Sequence, residues 1–336
     1  MREYQQQVLE FQTISRDYSL TKLVESVEKP TKDITVEKYL ETIIKTLISE
    51  NKIGNATHYQ SLLNSLHKFT KLAQILFVDI DVIFLNRYEA HLRKKGNRGN
   101  TINIKMRTLR ATYNKAIKDN LIKAEYYPFN DYNVAKLKEN TLKRAISKEN
   151  ILKIIDFDVN SISKRPWSSL QLSKDLFLFS YFGRGINMID MAYLKKENII
   201  NDRIIYERHK TKKLINFQLQ PLAIEIIKKY EKCDDKYLFP ILDEVVNISL
   251  EQQYRRVKKV TYVANKNLKK IGEALNIPTN LTTYVARHSY ATVLKRSGVS
   301  TSIISESLGH SSEKITQIYL DSFENSQIDE AMKNLL

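Results

Sequence analysis

Between residues 34 and 50, Val36, Leu40, Ile43, Ile44, Leu47 and Ile48 recur at three- and four-residue intervals, which is the stripe of an amphipathic helix. The same period runs through 57–75, 79–95 and 100–122, so the pattern predicts a four-helix N-terminal unit over 34–123, preceded by an extension over 1–33. Its last helix is expected to start at an N-cap Asn100 and to bury Ile102, Ile104, Leu109, Tyr113 and Ile117. Lys105, Arg107, Arg110, Lys115 and Lys118 would then be left to press on phosphates. Residues 124–146 lose the period, contain Pro128 and end in Lys143 and Arg144, and they read as a linker. From Ser147 a second unit begins, with helical runs to Ile155, over 173–183 and again over Asp190–Leu194.

The period then changes to two. Residues 203–209 and 214–220 alternate like strands joined by Lys210-Thr211-Lys212-Lys213, a hairpin with a very basic tip. Pro221 suits a first helical turn, where a missing N–H costs nothing. After Pro240 the chain reads almost entirely helical, ending in a tail helix over 324–336 with Ile328, Ala331, Met332 and Leu335 on one face. The expected class is mainly α with a small β component: a helical unit followed by a mixed α/β unit over 147–336.

Composition sharpens this. The 336 residues suffice for two domains, and 54 Lys and Arg against 38 Asp and Glu give a net charge of +16. The excess lies in two blocks: 51–150 holds 19 basic and 8 acidic side chains, and 251–300 holds 10 and 2. Two positive surfaces facing one polyanion, a C-shaped clamp around double-stranded DNA, suit that layout. A single cysteine, Cys233, excludes a disulfide framework, and MREYQQQ lacks the apolar core of a signal peptide. A soluble, cytoplasmic protein with no membrane partner is expected. Asp79/Asp81 and Asp156/Asp158 are the carboxylate pairs that a metal-dependent nuclease would use. The first pair opens a helix and reads better as capping, so no metal and no cofactor are expected.

The informative stretch is 281–323. It contains Tyr284-Val285-Ala286-Arg287-His288, then Leu308-Gly309-His310-Ser311-Ser312, then Thr316-Gln317-Ile318-Tyr319. Together these resemble the C-terminal signature of the tyrosine recombinase (phage integrase) family: H-x-x-R-H, L-G-H-S-S about 20 residues on, and T-x-x-Y. The resemblance covers roughly 34–325 and makes the helical N-terminal unit a core-type DNA-binding domain. It has two departures. Tyr284 stands where the family has His, and aligning Asp190 and Leu194 with the upstream box puts Asn187 where an arginine belongs. Arg184, three residues earlier and about 4.5 Å along a helix, is the substitute, with Gly183 and Gly185 freeing the backbone to approach a phosphate. This R-G-x-x-x-x-D form looks like the branch found in mobile and invertible elements of anaerobic gut bacteria.

The resemblance implies site-specific recombination through a 3′-phosphotyrosine, without metal or ATP. Tyr319 would be the nucleophile, Arg184 and Arg287 would grip the scissile phosphate, and His310 would add a hydrogen bond. Lys210 would protonate the departing 5′-oxygen, and Tyr284 is a further candidate for proton handling. Lys105, Arg107, Arg110, Lys143, Arg144, Lys212 and Lys213 are expected to contact DNA. The tail helix is expected to dock on a neighbouring protomer in a homotetramer on synapsed DNA. The short 1–33 segment, too small for an arm-binding domain, favours an enzyme of simple sites such as an invertase. The alternative is a non-catalytic DNA-binding regulator, which leaves the spacing of Arg287, His310 and Tyr319 unexplained.

Overall fold

A computed structural model of the chain describes residues 34–71, 74–139, 144–162, 169–230, 236–317 and 320. The chain divides into two compact units, Met1–Asn140 and Thr141–Leu336.

In the first unit the described residues form α1 (Val36–Ser49), α2 (Ile53–Thr70), α3 (Val82–Lys94) and α4 (Gly99–Lys118). Leu40, Leu62, Leu66, Leu85, Ile102, Met106 and Leu109 meet in one core. Asp81 caps α3 by accepting from the Phe84 N–H at 2.7 Å, and Asp79 accepts from the Leu76 N–H at 2.8 Å. Both carboxylates of that pair therefore serve helix and turn ends.

Three expectations for this unit need correcting. Helix α4 starts two residues earlier than expected, with Arg98 rather than Asn100 as the cap residue. Asn100 instead exchanges two hydrogen bonds with the Glu139 backbone. Ile104, expected inside, is 48% exposed, and Met106, Thr112 and Ala116 take the inward positions. The physical reason is the helical period: 104 lies about 200° around the axis from 102. Most of the expected linker is not a linker. Phe129, Tyr132, Val134 and Leu137 are buried in the first core, and Asn103 donates to the Val134 carbonyl. Aromatic anchors and a 3₁₀ turn at Val134–Leu137 held this segment down without leaving a helical period to read.

The second unit contains α5 (Lys148–Asp156), α6 (Ser169–Phe182) and α7 (Met188–Ala192). An antiparallel sheet follows, β1 (Ile199–Ile200), β2 (Arg203–Glu207) and β3 (Leu214–Gln218), in that order. Then come α8 (Pro221–Tyr230), α9 (Leu250–Ala274), α10 (Thr283–Arg296), α11 (Thr301–Ser307) and α12 (Glu313–Gln317). Helix α6 is packed by α8, α9 and α10, so Leu176, Phe177, Leu178 and Phe179 are all buried in succession. A helix covered on several sides has no polar stripe to show. In the hairpin, Ile204 faces Phe217 and Tyr206 faces Ile215. The two-residue β1 was too short to register as a period. Asp158 accepts from the Asn160 N–H and caps a 3₁₀ turn, a structural use of one member of the second acidic pair. The tail over 324–336 lies outside the described residues, as does Lys143.

Candidate active site and nucleic-acid interface

The chain ends α6 at Phe182 and turns through Gly183, Arg184 and Gly185 before Asn187 precedes α7. Arg184 and Gly185 both have left-handed backbones, φ 55° and 66°. For a non-glycine residue this costs roughly 1–2 kcal/mol. Residues 184–187 are thus a turn rather than helix, so the offset between Arg184 and Asn187 is not a helical rise. The Arg184 guanidinium lies over the Phe217 ring at 5.4 Å, while Asn187 makes no side-chain capping bond. Gly185 is also not open to a phosphate. A Cβ there would lie 2.8 Å from Arg287 Cγ, so the glycine exists to let α10 approach.

Arg287 is 3% exposed. Its Nη1 donates to the Gly185 carbonyl at 2.6 Å, and Nη2 donates to the Leu308 carbonyl at 2.7 Å and meets His310 Nε2 at 2.9 Å. Guanidinium only donates, so Nε2 is the acceptor and the ring proton sits on Nδ1, which donates to Thr316 Oγ1 at 2.8 Å. Burial, then the charges of Arg287, Arg208 and Lys210, push the His310 pKa down to about 4. The imidazole is therefore neutral at pH 7. Thr316 is fully buried on α12, three residues before Tyr319. Tyr319 itself lies outside the described residues, which include Leu320, buried with Ala291, Ile304 and Leu308.

Two residues of the site escaped the sequence reading. Arg208, at the root of the hairpin tip, is buried and donates from Nη1 to the Gly309 carbonyl at 2.7 Å. Asp190, used above only to align a motif, places Oδ2 at 3.9 Å from Arg208 Nε and accepts from the His209 N–H on Oδ1 at 2.8 Å. Burial raises the Asp190 pKa, against the pull of Arg208, His209 and Arg287. Burial likewise raises that of Tyr206, which feels Asp190, Arg287, Arg208 and Arg184 together. The only sequence signal for Arg208 was its place in a run of cations, which suggested exposure.

Lys210, Lys212 and Lys213 at the tip are exposed. Lys210 is close enough to lower the His310 pKa, whereas Lys212 pairs with Glu207 at 2.9 Å. Tyr284 is 43% exposed and stands edge-on to the His288 ring at 5.0 Å. His209 stacks on Tyr193 at 5.0 Å.

In the first unit, α2, α3 and α4 border a concavity of about 760 Å³ whose cationic lining is Lys68, Lys95 and Lys105, beside His91, with Gln60, Asn64 and Asn97. Among the described residues no carboxylate lines it. Lys105 reaches the Ser61 carbonyl and hydroxyl at 3.3 and 3.2 Å, and burial followed by the Lys68 charge lowers its pKa. Arg107 and Arg110 are exposed and do not line this concavity. The expected single phosphate-facing stripe on α4 is split, because 105 and 107 are about 200° apart around a helix. Arg144 is exposed. No helix among the described residues is long and apolar enough to cross a membrane.

The second unit thus carries a cluster of guanidinium groups, built from two glycine turns and a hairpin, with a buried carboxylate and a neutral histidine. That is equipment for holding an anionic ester. The chain belongs to the tyrosine recombinase (phage integrase) family, enzymes of site-specific DNA strand exchange: residues 144–326 match the phage integrase family model and 28–150 match the phage integrase SAM-like domain. It is similar to tyrosine recombinase XerA of Thermococcus onnurineus, 27% identical over 242 residues, covering 69% of this chain and 74% of that one. It also matches tyrosine recombinase XerC of Leptospira interrogans, 23% identical over 85% of this chain and 88% of that one. Among solved structures, the Tn1549 transposon integrase in complex with a circular intermediate DNA matches 90% of this chain and all of that one at TM-score 0.62 and 16% identity. The lambda integrase tetramer bound to a Holliday junction matches 91% of this chain and 82% of that one at TM-score 0.64 and 18% identity.

Proposed function

We propose that the chain cuts and rejoins double-stranded DNA through a 3′-phosphotyrosine on Tyr319, with Arg184, Lys210, Arg287 and His310 as its working groups. The observation that carries this reading is the Arg287–His310–Thr316 chain of hydrogen bonds, which ends three residues before Tyr319. Three of the partners of Arg287 are two carbonyls and an imidazole, each a neutral acceptor. A phosphate oxygen offers the same guanidinium a charge-assisted bond, roughly twice as strong. Once that oxygen draws Nη2 away, His310 Nε2 is released and becomes more basic, so the imidazole can hydrogen-bond the same group. Arg184, held in a left-handed turn and within electrostatic reach of Tyr206 and Tyr290 as Arg287 is, supplies a second cation.

The Tyr319 hydroxyl gives up its proton to water as its oxygen attacks phosphorus, and the P–O5′ bond breaks. The 5′-oxygen leaves with a proton from Lys210. One phosphoester replaces another, so the bond energy is kept, and the 5′-hydroxyl of a second strand reverses the step. Lys68, Lys95 and Lys105 of the first unit, with exposed Arg107, Arg110 and Arg144, supply sequence-independent grip on the backbone. The lambda integrase structure is a tetramer on a Holliday junction, which supports the same assembly here, on DNA in the cytoplasm. The outcome is integration, excision or inversion of an element of the gut-bacterial type.

The test is a nicked duplex that traps the cleaved state. The unaltered chain should give a covalent protein–DNA adduct that Tyr319→Phe abolishes with duplex affinity within about twofold. An adduct surviving in that variant, or equal loss of binding, would reject the assignment.

A further inference from the structure

The basic hairpin tip holds four cations between 208 and 213, and three of them are exposed. Arg208 is the exception. Its N–H donates to the Lys213 carbonyl and its carbonyl accepts from the Lys212 N–H, both at 2.9 Å, so Arg208 closes the tip. Its side chain then turns inward, 8% exposed, to a carboxylate that is 2% exposed.

Two consecutive carbonyls precede His310, and each is held by a different arginine. Leu308 O accepts from Arg287 on α10, while Gly309 O accepts from Arg208 on the hairpin. Gly309 has φ 63°, and a Cβ there would lie 2.9 Å from Ile215 Cδ1 on β3 and 3.4 Å from Arg208 Cδ. The turn that presents His310 is therefore fitted directly against the hairpin that presents Lys210. Asp190 completes the joint by holding the Arg208 side chain electrostatically and the His209 N–H by a hydrogen bond.

We propose that Arg208 is a positioning residue that fixes the tip bearing Lys210 to the Gly309–His310 turn, so that the acid and the phosphate-binding groups share one frame. This rests on the reading of Lys210 as the acid. Arg208 acts through Lys210 and need not touch the DNA. Without it the tip keeps the Asp190–His209 hydrogen bond and the stacking of His209 on Tyr193, neither of which ties it to the Gly309–His310 turn, and displacement of a reacting group by about 1 Å costs on the order of 100-fold in rate.

The experiment compares Arg208→Gln, Lys210→Ala and the double variant of the full chain, first on an ordinary nicked duplex and then on one whose 5′-bridging oxygen is sulfur. A thiolate leaves without a proton. Arg208→Gln should cleave the ordinary substrate about 10- to 100-fold more slowly, bind DNA within about twofold of the unaltered protein, and recover most of its rate on the sulfur substrate. The double variant should be no slower than Lys210→Ala, since residues acting as a unit are not additive. Multiplying losses, or no recovery by Arg208→Gln where Lys210→Ala recovers, would overturn the proposal and make Arg208 a phosphate contact in its own right. If Lys210→Ala itself is not recovered, the acid assignment fails instead. Amide exchange then still decides the joint: Arg208→Gln should speed exchange at 209–213 and 309–310 together, and unchanged protection would reject it.

Discussion

Residue by residue, the site is set by groups whose environments oppose their ordinary behaviour. His310 is buried beside cations and has a pKa of about 4 in place of 6.5. A base whose pKa is depressed by folding binds fewer protons folded than unfolded between those values, so stability rises with pH across that window and is lost as pH falls through it. The thermal midpoint should drop on acidification from pH 7 to 4.5, by an amount equivalent to the order of 2 kcal/mol, and His310→Asn should flatten that slope. Melts of both proteins across the range check this. Gly185→Ala should be as damaging as loss of Arg287 itself. The new methyl group meets Arg287 Cγ, and the left-handed backbone penalises it further. A drop in cleavage of at least 100-fold with a lowered melting temperature is expected. Arg184→Ala should slow cleavage by a similar factor, whereas Asn187→Ala should change it little. The reverse ranking in an adduct assay would return the missing arginine's role to position 187.

Elements explain what single residues do not. Helix α6 was legible as apolar but not as the centre of its unit, since periodicity reports one covered face and α6 is covered by three helices. The hairpin was legible from its alternation and its turn, yet Arg208 looked like another solvated cation. Burial of a charge depends on a carboxylate and a carbonyl that lie 18 and 101 positions away in sequence. Helix α4 shows the converse case. Its cations were read as one stripe, and helical geometry sends Lys105 into the concavity beside Lys68 while Arg107 faces solvent. Lys105→Ala should weaken duplex binding about equally for all sequences and reduce the salt dependence of log K by about 1. Binding titrations at several salt concentrations, using two unrelated duplexes, measure both.

For the whole molecule, two units with separate cores make up a chain whose net charge is +16. Because each core closes within its own stretch of chain, residues 34–140 expressed alone should melt cooperatively and retain weak, salt-sensitive duplex binding. A non-cooperative melt of that fragment would show that its core needs the rest of the chain.

The sequence by itself determined the helical class, the hairpin, the distribution of charge and the candidates for phosphoryl chemistry, because these depend on local period and on side-chain type. Only the tertiary structure decided which charges are buried. It turned Gly185 from a phosphate approach into a seat for Arg287, and Arg208 from a surface cation into a link between two loops. It also made residues 124–139 part of a core rather than a tether. Each of those outcomes is a contact between segments distant in sequence, where desolvation and close approach act and no periodicity records them.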